Sequence, residues 1–293
     1  QNIPILLKQF RQAVLTQAAT GKLTEEWRGN ENRLFSHDLG DFKVPEGWTW
    51  STIRDVAKLI NGDRGVNYPN VNEYVEAGIP WINTGHIDPN GTLSAERMNY
   101  ITRAKFDSLG SGKVRRNDLV YCLRGATLGK IAIVEYNEGA IASSLVIIRS
   151  GEKALPKYLY YFLISPYGQG LIWRFDNGTA QPNLAAKSVA QYPIPLPPIE
   201  EQEEIVRRVE SLFAVANRIE ASYKSLQEKI VHLPQAILSK AFRGELVPQD
   251  NNEVPANDLL KSVGEKVDGM ARELAAEFAM AAEPGVRFKR KKG

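Results

Sequence analysis

The sequence predicts an α+β protein in which one globular mixed α/β domain is followed by a long coiled-coil-forming helix. Three observations predict it. Apolar residues recur in strict four-three alternation at Ile205, Val209, Leu212, Ala216, Ile219, Tyr223, Leu226, Ile230, Leu233 and Ile237, the spacing of a helix packed lengthwise on a partner helix. Upstream, short apolar runs bounded by turn residues alternate with short helical patterns, the mark of a mixed domain. Residues 12–23 (QAVLTQAATGKL) also read almost residue for residue onto residues 235–246 (QAILSKAFRGEL), an internal repeat at an offset of 223.

In chain order, residues 1–24 are predicted to be the end of a helix like that of 230–246, since Leu7 and Phe10 carry the same phase as Ile230 and Leu233 and Gly21 supplies the C-terminal cap. Residues 25–45 are polar and aperiodic, and are expected to be a linker. The globular domain runs from 46 to 198. In it 51–60 suits a short helix leading into a strand. Strands are expected at 79–83, 119–123, 130–136 and 140–149, the last two joined by the turn Asn137-Glu138-Gly139. An aromatic-rich helical stretch at 156–175 is interrupted by Ser165-Pro166, and its Tyr158, Leu159, Phe162 and Leu163 sit at core spacing. Asn183 suits the N-cap of a short helix ending near Val189, and 192–196 makes a last strand.

The heptad helix occupies 199–246. Its start is marked by Pro197-Pro198 and by Glu200, Glu201, Glu203 and Glu204, whose charges suit the positive end of a helix dipole. At about 1.5 Å per residue the apolar seam is roughly 50 Å long, and Pro234 is expected to kink or restart it. Residues 247–293 hold a turn-rich exit, an amphipathic pattern through Leu259, Leu260, Val263, Val267, Met270, Leu274 and Phe278 broken by Gly264 and Gly269, and a basic tail.

Composition narrows the function classes. With 43% hydrophobic residues in 293 the chain can bury a sizeable core. No run approaches the length of a membrane span and no secretory leader is recognisable, which points to a cytoplasmic protein. A single cysteine, Cys122, excludes an internal disulfide framework. Starting at Gln1 rather than Met suggests a fragment or a processed start. The net charge of +3 owes everything to Arg287, Lys289, Arg290, Lys291 and Lys292, so it does not by itself indicate nucleic acid. Locally the picture changes, because residues 111–130 set Lys113, Arg115, Arg116, Arg124 and Lys130 against Asp118 alone.

Catalytic chemistry is not evident. Residues 125–130 (GATLGK) are one short of a phosphate-binding loop, with Ile131 where a magnesium-binding hydroxyl belongs. The only Pro-Pro pair lies in Leu196-Pro197-Pro198-Ile199, not in a base-methylation motif, and the nuclease-like spacing Asp41-Phe42-Lys43 falls in the linker. His37, His86 and His232 lie far apart without metal-ligand spacing, so neither metal nor cofactor is expected.

Four stretches in order, 45–48 (PEGW), 124–130 (RGATLGK), 178–183 (GTAQPN) and 195–202 (PLPPIEEQ), resemble the specificity subunit of type I DNA restriction-modification enzymes, as do 240–246 and their N-terminal echo. The resemblance implies a non-catalytic subunit whose target-recognition domain, here 46–198, reads half of a split site on double-stranded DNA. Its conserved helices would bind methyltransferase subunits and, through them, restriction subunits. The family pattern has two recognition domains and two conserved helices; this chain has one of each plus the stub of a second helix. Two alternatives remain: a fragment of a fused restriction-methyltransferase enzyme, and a coiled-coil assembly scaffold.

On this reading the DNA contacts are expected from Arg124, Gly125, Thr127 and Lys130 in a loop whose glycines allow close backbone approach. The basic Lys113, Arg115 and Arg116 join them, with Arg64 and Tyr68 in the 62–68 loop and Thr84 and His86 in the 83–86 loop. Arg124 could instead pair with Asp118 and merely hold its loop. Through the seam residues Ile205, Val209, Leu212, Ile219, Leu226 and Ile230 the chain is expected either to form a two-fold homodimer or to pack on a missing first half.

Overall fold

A computed structural model describes residues 2–29, 33–36, 42–175, 184–246 and 254–281. The candidate N-cap Asn183, the 178–183 motif, His37 and the basic tail lie outside them. Residues 1–224 form one compact unit and 225–293 another.

The first unit opens with α1 (Ile3–Ala19), which buries Leu7, Val14, Leu15, Ala18 and Ala19 and ends at Gly21 in the left-handed conformation, φ 75°. A Cβ on Gly21 would stand 2.4 Å from the Pro45 ring, so the cap needs glycine both for its angle and for its space. Residues 25–45, expected as a linker, hold α2 (Glu25–Arg28) and an antiparallel pair of β1 (Leu34–Phe35) and β2 (Val44–Pro45). Then come β3 (Thr49–Thr52), α3 (Ile53–Val56), β4 (Ala57–Asn61), β5 (Tyr74–Val75), β6 (Ile79–Ile82), β7 (Asn99–Ile101), α4 (Arg103–Ser108), β8 (Lys113–Val114), β9 (Leu119–Cys122), β10 (Ile131–Ile133), β11 (Gly139–Ile141) and β12 (Leu145–Ser150). The chain continues through α5 (Pro156–Ile164), α6 (Pro166–Phe175), α7 (Ala186–Ala190) and β13 (Pro193–Leu196) into α8 (Ile199–Phe242).

A four-stranded antiparallel sheet in the order β10-β9-β12-β4 stands beside a five-stranded sheet in the order β5-β7-β6-β11-β8, where β6 and β11 run parallel. Alternation along β9 explains the layering. Val120 and Cys122 join Ile82, Val114 and Ile141 in the core between the sheets, while Leu119 and Tyr121 join Leu15, Leu159, Leu163 and Ile205 in the core under the helices. Because both faces are covered, the strand reads as a continuous apolar run rather than an alternating one. A third cluster, with Trp81, Ile101 and Phe106, lies under α4, whose one clear sequence signal is the N-cap Thr102 accepting from the Lys105 amide at 3.2 Å. Tyr158, Leu159, Phe162 and Leu163 are buried as their spacing predicts.

The heptad seam divides. Ile205 and Val209 are fully buried in this chain's own core, so these two cannot serve a dimer interface, while Leu212 is half-buried against that core. From Ile219 onward the seam faces solvent, with Ile219, Leu226 and Ile230 exposed. The helix continues through Pro234 without restarting.

Its buried start is locked by polar groups. Glu201 accepts hydrogen bonds from the Thr24 hydroxyl at 2.6 Å and the Trp48 indole at 2.8 Å and pairs with Arg28. Gln202 accepts from the Leu155 amide at 2.8 Å and donates to the carbonyls of Lys153 and Pro197. The acidic start is therefore a clamp on the N-terminal segment as well as a match to the helix dipole.

The second unit contains the end of α8 and α9 (Ala256–Ala281), which runs unbroken through Gly264 and Gly269. Its repeat copy ends like the first, with Gly244 at φ 70°. Where the first copy buries Leu7, Val14, Leu15 and Ala19, however, the corresponding Ile230, Ile237, Leu238 and Phe242 are exposed.

Candidate nucleic-acid interface

Three of the expected loops meet at one end of the two sheets because the strands that lead into them are paired there. Cys122 at the end of β9 lies opposite Leu145 at the start of β12, and Asn61 at the end of β4 lies opposite Val146. The parallel pairing of Ile141 with Ile82, followed by the Ala142 amide donating to the Ile82 carbonyl at 2.8 Å, brings the end of β6 to the same edge. The loops 62–68, 83–86 and 124–130 therefore frame one surface around residues 142–144.

Loop 124–130 is a tight excursion between β9 and β10. The Cys122 amide donates to the Lys130 carbonyl at 2.8 Å and the Gly129 amide returns to the Cys122 carbonyl at 3.0 Å. Gly125 and Gly129 take φ 76° and 80°. The Cys122 thiol contacts the Thr127 hydroxyl at 3.3 Å, so Thr127 points partly inward. Arg124 is exposed, and among the described residues nothing pairs with its guanidinium. Lys130 is half-buried.

The alternative partner of Arg124 is already taken. Buried Asp118 accepts from Arg149 Nε at 2.9 Å and from the same guanidinium at 2.7 Å, and from the Arg115 amide at 2.8 Å. That pairing holds the Arg149 guanidinium above its ordinary pKa, and Asp118 does not brace the Arg124 loop.

Gly129 also touches α6: a Cβ there would lie 2.2 Å from Ile172 Cδ1. Gly129→Ala is expected to cost about 2–4 kcal/mol, because the left-handed backbone and the collision with a buried side chain act together. Urea unfolding checks this; a loss under about 1 kcal/mol would mean the loop gives way freely.

Loop 62–68 is pinned by Asp63, which accepts from the Gly65 and Gly110 amides at 2.7 Å each. These bonds, the Gly65 one first, hold the Asp63 carboxyl below the usual carboxylate range. The stability they lend is complete above the unfolded pKa of about 4 and fades as pH falls through the lower folded value. Arg64 is exposed, its guanidinium 3.5 Å from the Ser143 carbonyl, and Tyr68 sets its ring edgewise to Trp81 at 5.3 Å between centroids.

His86 is placed differently from expectation. It is 4% exposed, its Nδ1 accepts the Asn83 amide at 3.1 Å, and burial pushes its pKa down. A neutral, buried imidazole shapes the turn and offers no outward cation. Thr84 is half-buried at the start of the same turn.

The basic stretch does not form one patch. Four residues of β9 span roughly 13 Å, and Arg115 and Arg116 sit at the end opposite Arg124 and Lys130. Arg116 donates to Asn137 at 3.3 Å, while Arg115 borders a cleft of about 800 Å³ shared with Arg54, Lys58 and Lys153. Lys113 donates to the Asp107 carbonyl at 3.1 Å and lies over the Phe106 ring. Among the described residues no group of acidic, His or Cys side chains could hold a metal, and no helix is long and apolar enough to cross a membrane.

Comparison with known proteins adds lineage to this geometry. A family profile described as "Type I restriction modification DNA specificity domain" matches residues 45–228. The chain is similar to the type I restriction enzyme EcoBI specificity subunit of Escherichia coli, 33% identical with 100% of this chain and 60% of that one aligned. The EcoDI specificity subunit of the same species is 31% identical, with 100% and 64% aligned. The chain thus spans about 60% of the length of these relatives. Among solved structures, the HsdS subunit of Thermoanaerobacter tengcongensis shares the fold at TM-score 0.53 and 21% identity, over 84% of this chain and 57% of that one. A chain from a study of complex assembly and conformational transition of the type I R-M system does so at 0.56 and 22%, over 84% and 58%.

Proposed function

This chain belongs to the family of type I restriction-modification DNA specificity domains, and from that premise we propose that it reads one half of a split site on double-stranded DNA within a type I complex. One observation carries the reading: three hydrogen-bonded loops converge on a single surface where Arg64 and Arg124 reach solvent without an acidic partner among the described residues. A guanidinium left unpaired on such a loop can grip guanine O6 and N7 in the major groove with two parallel bonds. Methylation then falls to methyltransferase subunits that dock on the helices, and restriction to subunits that join through them, and no catalytic residue is assigned to this chain.

Selection from a randomised duplex library tests the proposal. The chain is expected to enrich one short motif, with affinity falling as salt rises; retention of duplexes without any shared motif would overturn it.

Assembly through the helices is the second half of the proposal. The exposed part of the seam, Ile219, Leu226 and Ile230, supplies the surface for a second copy of this chain or for the further sequence that longer relatives possess. Ile230→Asp is expected to lower the mass seen by light scattering while leaving thermal unfolding of the recognition domain unchanged, because the residue is already 64% exposed. An unaltered mass would place the interface elsewhere.

A further inference from the structure

Residues Gly65 to Tyr68 form a turn in which the Tyr68 amide donates to the Gly65 carbonyl at 3.0 Å, with Val66 and Asn67 at its tip. Turn tips favour Gly, Pro, Asn, Asp and Ser, and a β-branched apolar residue is a poor choice there. Val66 is nevertheless 99% exposed, more than any other large apolar residue described. A single exposed apolar side chain is ordinary on a protein surface; what sets this one apart is how firmly its backbone is held. Asp63 ties Gly65 to Gly110, the Asn67 amide side chain donates to the Ser108 carbonyl at 2.8 Å, and the Tyr68 ring rests edgewise on buried Trp81. Gly62, at the root of the loop, is so close to the crossing chain that a Cβ would stand 2.6 Å from the Ala142 carbonyl oxygen. The fold thus fixes a bare isopropyl group in water, two residues from Arg64 on the surface assigned to DNA.

We propose that Val66 is a specificity-determining residue that reads the C5-methyl group of a thymine in the major groove. The proposal rests on the DNA-reading function set out above. Adenine-thymine pairs present that methyl on the major-groove edge, and an apolar side chain is the chemistry that recognises it. An aliphatic group carries no information about phosphates, so its contribution is to base choice and not to general affinity.

The test uses the full chain and the duplex it enriches. Each thymine is replaced in turn by uracil, which deletes only the methyl group, and binding is measured for the wild type and for Val66→Ala. At one thymine the wild type is expected to lose about four-fold in affinity, the worth of one buried methyl. Val66→Ala should bind the thymine duplex more weakly by at least that factor and be indifferent to uracil at that position, with the salt dependence unchanged. The proposal is overturned if no uracil position distinguishes the two proteins, or if Val66→Ala weakens specific and random duplexes alike, as it would if the tip met a protein partner or the phosphates. Enrichment of no motif at all would sink the DNA-reading function itself and this inference with it. Enrichment with uniform uracil tolerance would sink only the role of Val66. The substitution is on a fully exposed side chain, so loss of folding does not cloud either outcome.

Discussion

Glu201→Ala is expected to destabilise the recognition domain by about 3–5 kcal/mol, the largest effect of any single exchange proposed for stability. The carboxylate is 2% exposed and is the meeting point of three groups far away in sequence: Thr24, Arg28 and Trp48. Removing it strands the Arg28 guanidinium, whose side chain is only 8% exposed, without its counter-charge, and breaking one partner of a buried pair costs that much because the other stays desolvated. Glu201→Gln keeps an acceptor but not the charge, and should fall between wild type and alanine. Urea titration checks both, and the slope should stay constant if only the native state has changed. A loss below about 1 kcal/mol for alanine would show that the N-terminal segment docks through apolar packing alone. Because the pair is buried, the result should hardly depend on salt.

Arg124→Ala and Lys130→Ala should fail in different ways. Arg124, exposed and unpaired among the described residues, is proposed to make a bidentate contact worth roughly 1–3 kcal/mol of discrimination, so its loss should relax base preference at one position about ten- to a hundred-fold. Lys130, half-buried at the root of the same loop, is proposed to set one positive charge against phosphate. Its loss should weaken every sequence alike and reduce the salt slope by about one unit. Binding to the enriched duplex and to its single-base variants at two salt concentrations separates the two. Full base preference in a folded Arg124→Ala protein would move the reading to loop 62–68.

Much of the scaffold was legible in the sequence because it follows from short-range pattern. The apolar run at 119–123 marks a strand covered on both faces, and Ser165-Pro166 marks the break between α5 and α6. Legibility ends where distant residues decide. Glu201 reads as a dipole charge at a helix start, since nothing near it announces Trp48 or Thr24. Ile205 and Ile230 belong to one period, yet the first is core and the second is bare; periodicity tells which face is apolar, not what covers it. Arg115 and Arg124 are only nine residues apart in sequence, but a strand between them sends them to opposite ends of a sheet. The three loops could each be found as loops, whereas their meeting depends on the β6–β11 and β4–β12 pairings, which no local signal encodes. His86 shows the reverse limit: its residue type suits DNA, and only its burial removes it.

The way the loops hang from the sheets has a further consequence. Leu123 is tied to the Ser144 carbonyl, Cys122 to that of Lys130 and Ala142 to that of Ile82, all through main-chain atoms that every non-proline residue possesses. The side chains of Arg124 and Val66, unlike that of Asn67, which braces its turn against the Ser108 carbonyl, make no bond among the described residues that holds the frame. They can be exchanged without disturbing the layers beneath, so under the proposed DNA-reading function a lineage could drift from one target sequence to another by single substitutions, each intermediate still a folded protein. A recognition surface attached in this manner can be rewritten letter by letter while the page stays bound.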